Sequence, residues 1–147
     1  MIIGTEAEML ALGARLAQVA RPGDAIALEG GLGAGKTTLA RGLLAALGLE
    51  EEAPSPSFAI VQPYDPPLVR YPVTHVDLYR LEDAAEIGEL ALGELLQDSL
   101  LLIEWPERMG GSLWPHSLVL TIEALPDGSR RLTATVPAAW KERWPLK

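Results

Sequence analysis

An α/β fold, with helices packed on a central sheet and an antiparallel hairpin towards the C-terminal end, is what this 147-residue sequence predicts. Three observations predict it. A short apolar run, a glycine-rich loop and a helical stretch follow one another between Ala25 and Leu47. The run Ser99 to Ile103 is almost continuously apolar and ends in Glu104, as a strand buried on both faces does. Two alternating stretches, 117–125 and 130–136, flank a Pro-Asp-Gly turn, the pattern of a hairpin.

Thr5 with Glu8 forms a capping box, and Met9, Leu12, Leu16 and Val19 recur at helical spacing, so 5–20 reads as an amphipathic helix ended by Arg21-Pro-Gly-Asp24. Ala25 to Leu28 is a strand, and Lys36 to Leu47 a helix closed by Gly48. EEEAPSPSF is an acidic, proline-rich loop leading to a strand at Ala59 to Val61. QPYDPPLVRYP is a second proline-rich loop. Loops of this length are candidates for moving parts around a ligand. Val73 to Leu78 is the next strand and AAEIGELALGELL a helix. After the buried strand and the hairpin comes a short tail with Trp140 and Trp144. No repeat or boundary breaks the chain, which reads as one domain over 1–147.

A formal net charge of −8 argues against direct collection of phosphate backbones. Any nucleic acid is expected on another protein. The chain has no cysteine, which excludes disulfides, thiolate catalysis and Cys-type zinc sites, and fits a reducing compartment. Neither a basic leader with an apolar run nor a stretch of membrane-spanning length occurs, so no membrane association is expected and the localisation read from the sequence is cytoplasmic.

Gly30, Gly35, Lys36 and Thr37 satisfy G-x-x-x-x-G-K-[ST], a phosphate-loop (P-loop) pattern, and Lys36 is the only lysine before Lys141 and Lys147. Glycines let backbone N–H groups converge on an anion without side chains in the way, and the helix that follows adds its positive end. In that pattern Lys36 reaches the β- and γ-phosphates, Thr37 ligates Mg²⁺ and Thr38 bonds the α-phosphate. The bland alternative is a glycine-rich turn with an incidental lysine. Its place between a strand and a helix favours nucleotide binding.

Such a site needs an acid at the end of a neighbouring strand, and two positions compete: Glu104, after LLLI, and Asp77, in THVDLY. Glu104 is favoured over an ordinary loop acid. His75 lies two residues before Asp77, hence on the same strand face, where the pair either positions water or forms a structural hydrogen bond. Ser55 and Ser57 sit where a switch segment would, and read equally as a proline turn. Arg80, Arg108 and Trp105 read as site residues or as surface and packing.

Taken together, LGAGKTT, SPSF, HVDLYR and IEWPER in this order resemble the TsaE (YjeE) family of small bacterial P-loop ATPases that support threonylcarbamoyladenosine modification of tRNA. The resemblance spans Glu6 to Arg108. It implies a P-loop NTPase-like sheet flanked by helices, ATP and Mg²⁺ as cofactors, slow intrinsic hydrolysis, and action with TsaD and TsaB proteins, tRNA being reached through them. It implies further that Gly33, Ala34, Gly35, Lys36, Thr37 and Thr38 form the nucleotide loop and that Thr37 and Glu104 hold magnesium. Glu6 is implied near the base end of the nucleotide, Asp77 in hydrolysis and Trp105 in the wall of the site. Ser57 departs from the family's usual threonine but keeps the hydroxyl. Other readings of the loop are a small-molecule kinase, a GTP-dependent switch and a nucleotide-sensing adaptor. The switch is disfavoured because no Asn/Thr-Lys-x-Asp motif is present.

Overall fold

Strand residues alternate between two faces, and in this chain both faces are apolar, so the sheet must be covered on each side. The structure, a computed structural model, describes residues 1–31, 33–50, 61–79, 91–109 and 113–144. Among them the elements run β1 (Ile2–Ile3), α1 (Glu6–Val19), β2 (Ala25–Glu29), α2 (Lys36–Ala46), β3 (Val61–Tyr64), β4 (Val73–Asp77), α3 (Leu92–Asp98), β5 (Leu100–Glu104), β6 (Leu118–Ala124) and β7 (Arg130–Thr135), with single 3₁₀ turns at Pro106–Met109 and Ala138–Trp140. The seven strands form one sheet in the order β1-β7-β6-β2-β5-β4-β3. Strands β4, β5, β2 and β6 are parallel, and the two edges are antiparallel.

Leu100 and Leu102 pack with Ile26, Leu28, Leu118 and Leu120 against α1 and α2. The intervening Leu101 and Ile103 join Val76, Leu92 and Leu96 on the α3 side. Period two then carries Glu104 onto the α2 face, at the carboxyl end of its strand. That parity is the first determinant of the site.

Helices α1 and α2 meet through glycines. A Cβ on Gly13 would lie 2.2 Å from Leu39 O, and one on Gly42 would lie 2.3 Å from Leu10 O. Only two missing side chains let the backbones approach this closely, which seats the start of α2 beside α1 and fixes where the glycine loop delivers Lys36. Thr5 caps α1, its Oγ1 accepting from Glu8 N at 3.1 Å, while Glu8 reaches back to accept from Gly4 N at 2.9 Å. At the other end Tyr71 donates to Ala20 O at 3.1 Å, and Arg143 to Val19 O at 2.9 Å. Arg143 also forms a bidentate pair with Asp24, at 2.7 and 2.9 Å, over the fully buried Trp140. The tail is therefore stapled to the entry of β2.

Three expectations need correction. Ile2–Ile3 forms an edge strand where none is predicted, because Ile2 and Ile3 pair with Arg131 and Arg130 far along the chain. Of the strand expected at Ala59 to Val61, residues 59–60 lie outside the described residues; the described strand runs Val61–Tyr64, so the second proline-rich loop begins later. Pro63 is accommodated because β3 is an edge. The helix expected from Ala84 begins, in its described part, at Leu92 after Ala91 in a left-handed conformation, and runs on to Asp98. Residues 84–90 lie outside the described residues.

The helix contact gives a direct test. Gly42→Ala is expected to cost about 3 kcal/mol or more in denaturant unfolding, since the methyl meets backbone that cannot step aside. A cost under about 1 kcal/mol would show that the two helices are not held at this distance.

Candidate functional site

The carboxyl ends of parallel strands are where an open α/β sheet offers a crevice, and here β2, β4 and β5 end together. Their registers place Asp77 opposite Glu104, and Glu104 opposite Leu28. A cleft of about 480 Å³ opens at this edge. Its phosphate-loop side is formed by residues 33 to 38, its sheet side by Asp77 and Glu104, and its outer wall by Tyr79 and Trp105. Ile3, Thr5, Glu6 and Met9 also line it, with Gly128 and Arg130 from the hairpin.

Gly30 opens the loop at φ +152°, and a Cβ there would lie 2.5 Å from Ile122 O, so only glycine lets β2 turn away beside β6. Gly35 starts α2 as its N-cap with φ +110°, and offers no side chain that could compete for the first N–H groups of the helix. Lys36 folds back from the first turn. Its Nζ donates to Gly30 O at 2.7 Å and lies 3.6 Å from the centroid of the Trp105 ring.

Thr37 Oγ1 donates towards the Glu104 carboxylate, 3.3 Å from Oε1 and 3.4 Å from Oε2. From the opposite side His75 Nε2 holds Glu104 Oε2 at 2.6 Å, with both side chains almost wholly buried. His75 Nδ1 is buried without a hydrogen-bond partner among the described residues. Asp77 is buried at the cleft edge, where Oδ1 accepts from Tyr79 N at 2.9 Å. Trp105 takes φ +62°, a left-handed conformation costly for an aromatic residue, and its ring lies 4.8 Å from that of Tyr79.

The structure brings Glu6, Gly33, Ala34, Gly35, Lys36, Thr37, Thr38, Asp77, Glu104 and Trp105 to one cleft. Asp77 and Glu104, the two competing acids, both line it. His75 stands behind the cleft wall, as the support of Glu104. Ser55, Ser57 and Arg80 lie outside the described residues, and Arg108 sits 5.9 Å from the Tyr79 ring. Sequence reading missed Arg130, whose guanidinium grips the loop from the hairpin. No local signal marks it, because adjacent arginines in an alternating strand look like a solvated face.

Burial lowers the Lys36 pKa below its ordinary value, against the opposing pull of Glu104, Glu107 and Asp77. Because the folded value lies below 10.5, the unfolded chain holds the proton more tightly. The burden is present at neutral pH and lifts as pH climbs through the folded value towards 10.5. An anion in the cleft would compensate the ammonium directly. Lys36→Met is therefore expected to melt no lower than the wild type near neutral pH in the absence of ligand. A melting point several degrees lower would show that the ammonium stabilises the free protein.

Known proteins share this chain's sequence and fold. The family described as "Threonylcarbamoyl adenosine biosynthesis protein TsaE" matches residues 3–132. A protein of Streptomyces coelicolor named tRNA threonylcarbamoyladenosine biosynthesis protein TsaE is 38% identical over 138 residues, covering 92% of this chain and 93% of that protein. A protein of the same name from Bacillus subtilis is 36% identical over 129 residues, covering 87% and 79%. The crystal structure of Bacillus subtilis YdiB superposes with a TM-score of 0.81 at 28% identity, covering 98% of this chain and 88% of that one. A family match that runs from β1 into β7, with relatives and a solved structure sharing most of the chain, leads to one conclusion: this protein belongs to the TsaE family.

Proposed function

We propose that this protein binds Mg-ATP in the cleft and hydrolyses it slowly on its own, in service of tRNA threonylcarbamoyladenosine biosynthesis, with turnover raised by TsaD and TsaB proteins in the cytoplasm. The observation that carries this reading is the meeting of Thr37 and Glu104. They lie 67 positions apart in sequence, and the fold brings the hydroxyl and carboxylate that a P-loop site needs within 3.3 Å.

The residues fit a magnesium nucleotide. Gly33 to Gly35 and the start of α2 supply N–H donors, Lys36 a cation, and Thr38 a further hydroxyl. Thr37 and Glu104 would hold the metal, which when bound neutralises charge on the phosphates. Among the described residues no group of three or more His, Cys, Asp or Glu side chains is placed to hold a metal. One carboxylate and one hydroxyl suit Mg²⁺ completed by phosphate oxygens and water, rather than by an all-protein cage. His75, bonded to Glu104 Oε2, keeps that carboxylate turned towards Thr37. Asp77, at the cleft edge, is in place to orient water, Trp105 walls the site, and Glu6 lies at the end suited to the base. Ser55 and Ser57 would complete the γ-phosphate side.

The same geometry supports the expectation of slow solitary turnover. Rapid transfer needs cations held where charge develops. Of the described residues, the cations lining the cleft are Lys36, held by Gly30 O, and Arg130, held by carbonyls of the loop and hairpin. A partner that frees Lys36 or adds a cation would complete the site. The acidic chain then leaves tRNA to its partners. No helix among the described residues is long and apolar enough to cross a membrane.

Phosphate release is the test. The isolated protein is expected to turn over ATP slowly, and an equimolar TsaD–TsaB pair to accelerate it, with adenine preferred over guanine nucleotides. Fast turnover that the pair leaves unchanged, or phosphate transfer to a small-molecule acceptor, would overturn the assignment in favour of a kinase. Glu104→Ala is expected to weaken the Mg²⁺ dependence of nucleotide binding by at least the ~10–100-fold that loss of an outer-shell partner causes. Nucleotide affinity without Mg²⁺ should change far less. Equal changes with and without Mg²⁺ would remove Glu104 from the metal.

A further inference from the structure

A loop that turns N–H groups towards an anion must turn the carbonyls of the same peptide units away, since N–H and C=O of a trans peptide point in opposite directions. In the loop before α2, Gly33 and Gly35 both have positive φ, and neither has a Cβ to hinder rotation of the peptides beside it. Something else has to fix those planes. Gly35 O is held by Leu39 N at 3.0 Å as part of the helix, and Ala34 N by Gly31 O at 3.2 Å. The carbonyls of Gly33 and Ala34 receive their bonds from the β6–β7 hairpin.

Both bonds come from Arg130, at the start of β7. Its Nε donates to Ala34 O at 2.9 Å and Nη2 to Gly33 O at 3.1 Å. Its Nη1 is anchored on the hairpin turn, donating to Gly128 O at 2.7 Å and Ser129 O at 3.3 Å. The turn is itself braced, Asp127 Oδ1 accepting from Ser129 N at 2.9 Å and from Ser129 Oγ at 2.6 Å. The next residue, Arg131, makes an exposed pair with Glu123 at 3.0 Å.

We propose that Arg130 is a positioning residue for the phosphate loop: it clamps Gly33 O and Ala34 O to the hairpin and so holds the N–H of Gly35 on the cleft side before any ligand arrives. The proposal rests on the reading of the cleft as a polyphosphate site. It gives the C-terminal hairpin, which contributes little to the family motifs, a share in binding. The fork geometry of guanidinium is what the task requires. A lysine keeps the charge but cannot bridge two loop carbonyls while bonding the turn.

The test compares Arg130→Ala, Arg130→Lys and, as control, Arg131→Ala in the full chain. Three quantities are measured: melting temperature, backbone ¹⁵N order parameters of Ala34 and Gly35 in the ligand-free protein, and calorimetric affinity for inorganic triphosphate with Mg²⁺. Both Arg130 variants are expected to lower the order parameters from the rigid range near ~0.85. They should weaken triphosphate binding about tenfold, the equivalent of one charge-assisted hydrogen bond. Arg131→Ala should change neither. Wild-type affinity in Arg130→Lys would overturn the clamp in favour of simple charge. A lower melting temperature in Arg130→Ala with loop order and affinity intact would overturn it in favour of a purely structural hairpin bond. Should the wild type bind no triphosphate, the reading of the cleft fails, while the order parameters of Arg130→Lys still decide whether the clamp exists.

Discussion

Glu104 carries a carboxylate to 3% exposure at the end of Leu-Leu-Leu-Ile, where an unpaired charge costs on the order of several kcal/mol. The chain meets that cost by bringing three side chains, from two elements, to one carboxylate. His75 comes from β4, Thr37 from the first turn of α2, and Lys36 contributes its field from the same turn. Each partner depends on a different long-range constraint: the parallel register of β4 with β5 for His75, the glycine contact of α1 with α2 for Thr37, and the sharp exit of the loop at Gly30 for Lys36. The carboxylate is thus the point where sheet, helix pair and loop are held to a common geometry.

Around it the cleft carries features that oppose stability. Lys36 is desolvated enough to lower its pKa in spite of the opposing pull of Glu104, Glu107 and Asp77, and Trp105 sits in a left-handed conformation. Strain and unfavourable burial gathered in one crevice are characteristic of sites prepared for a charged ligand. The compensation lies elsewhere, in the two apolar layers, the double capping of α1 and the Arg143–Asp24 pair that ties down the tail.

The parts legible in the sequence are those written in local pattern. Thr5 and Glu8 announce the start of α1 because capping is a matter of three residues. Lys36 and Thr37 are legible because the loop's chemistry imposes a fixed spacing. Leu100–Glu104 is legible because a strand covered on both faces has no polar alternate. What remained hidden depends on pairing across distance. Ile2–Ile3 is too short to signal a strand without Arg130 and Arg131 opposite it. Pro63 looks like a loop residue until β3 is known to be an edge. His75 could be assigned to Asp77 by spacing alone, and only the β4–β5 register shows that it supports Glu104. Arg130 had no local mark at all, because its partners are carbonyls some 96 residues away.

The central claim is that Thr37 and Glu104 meet in order to hold a magnesium nucleotide. Calorimetric titration of the wild-type protein with ATP, in matched buffers with Mg²⁺ and with a chelator, tests it most directly. The account predicts one site per chain and a marked loss of affinity when the metal is withdrawn. Absence of ATP binding, or an affinity indifferent to Mg²⁺, would contradict it.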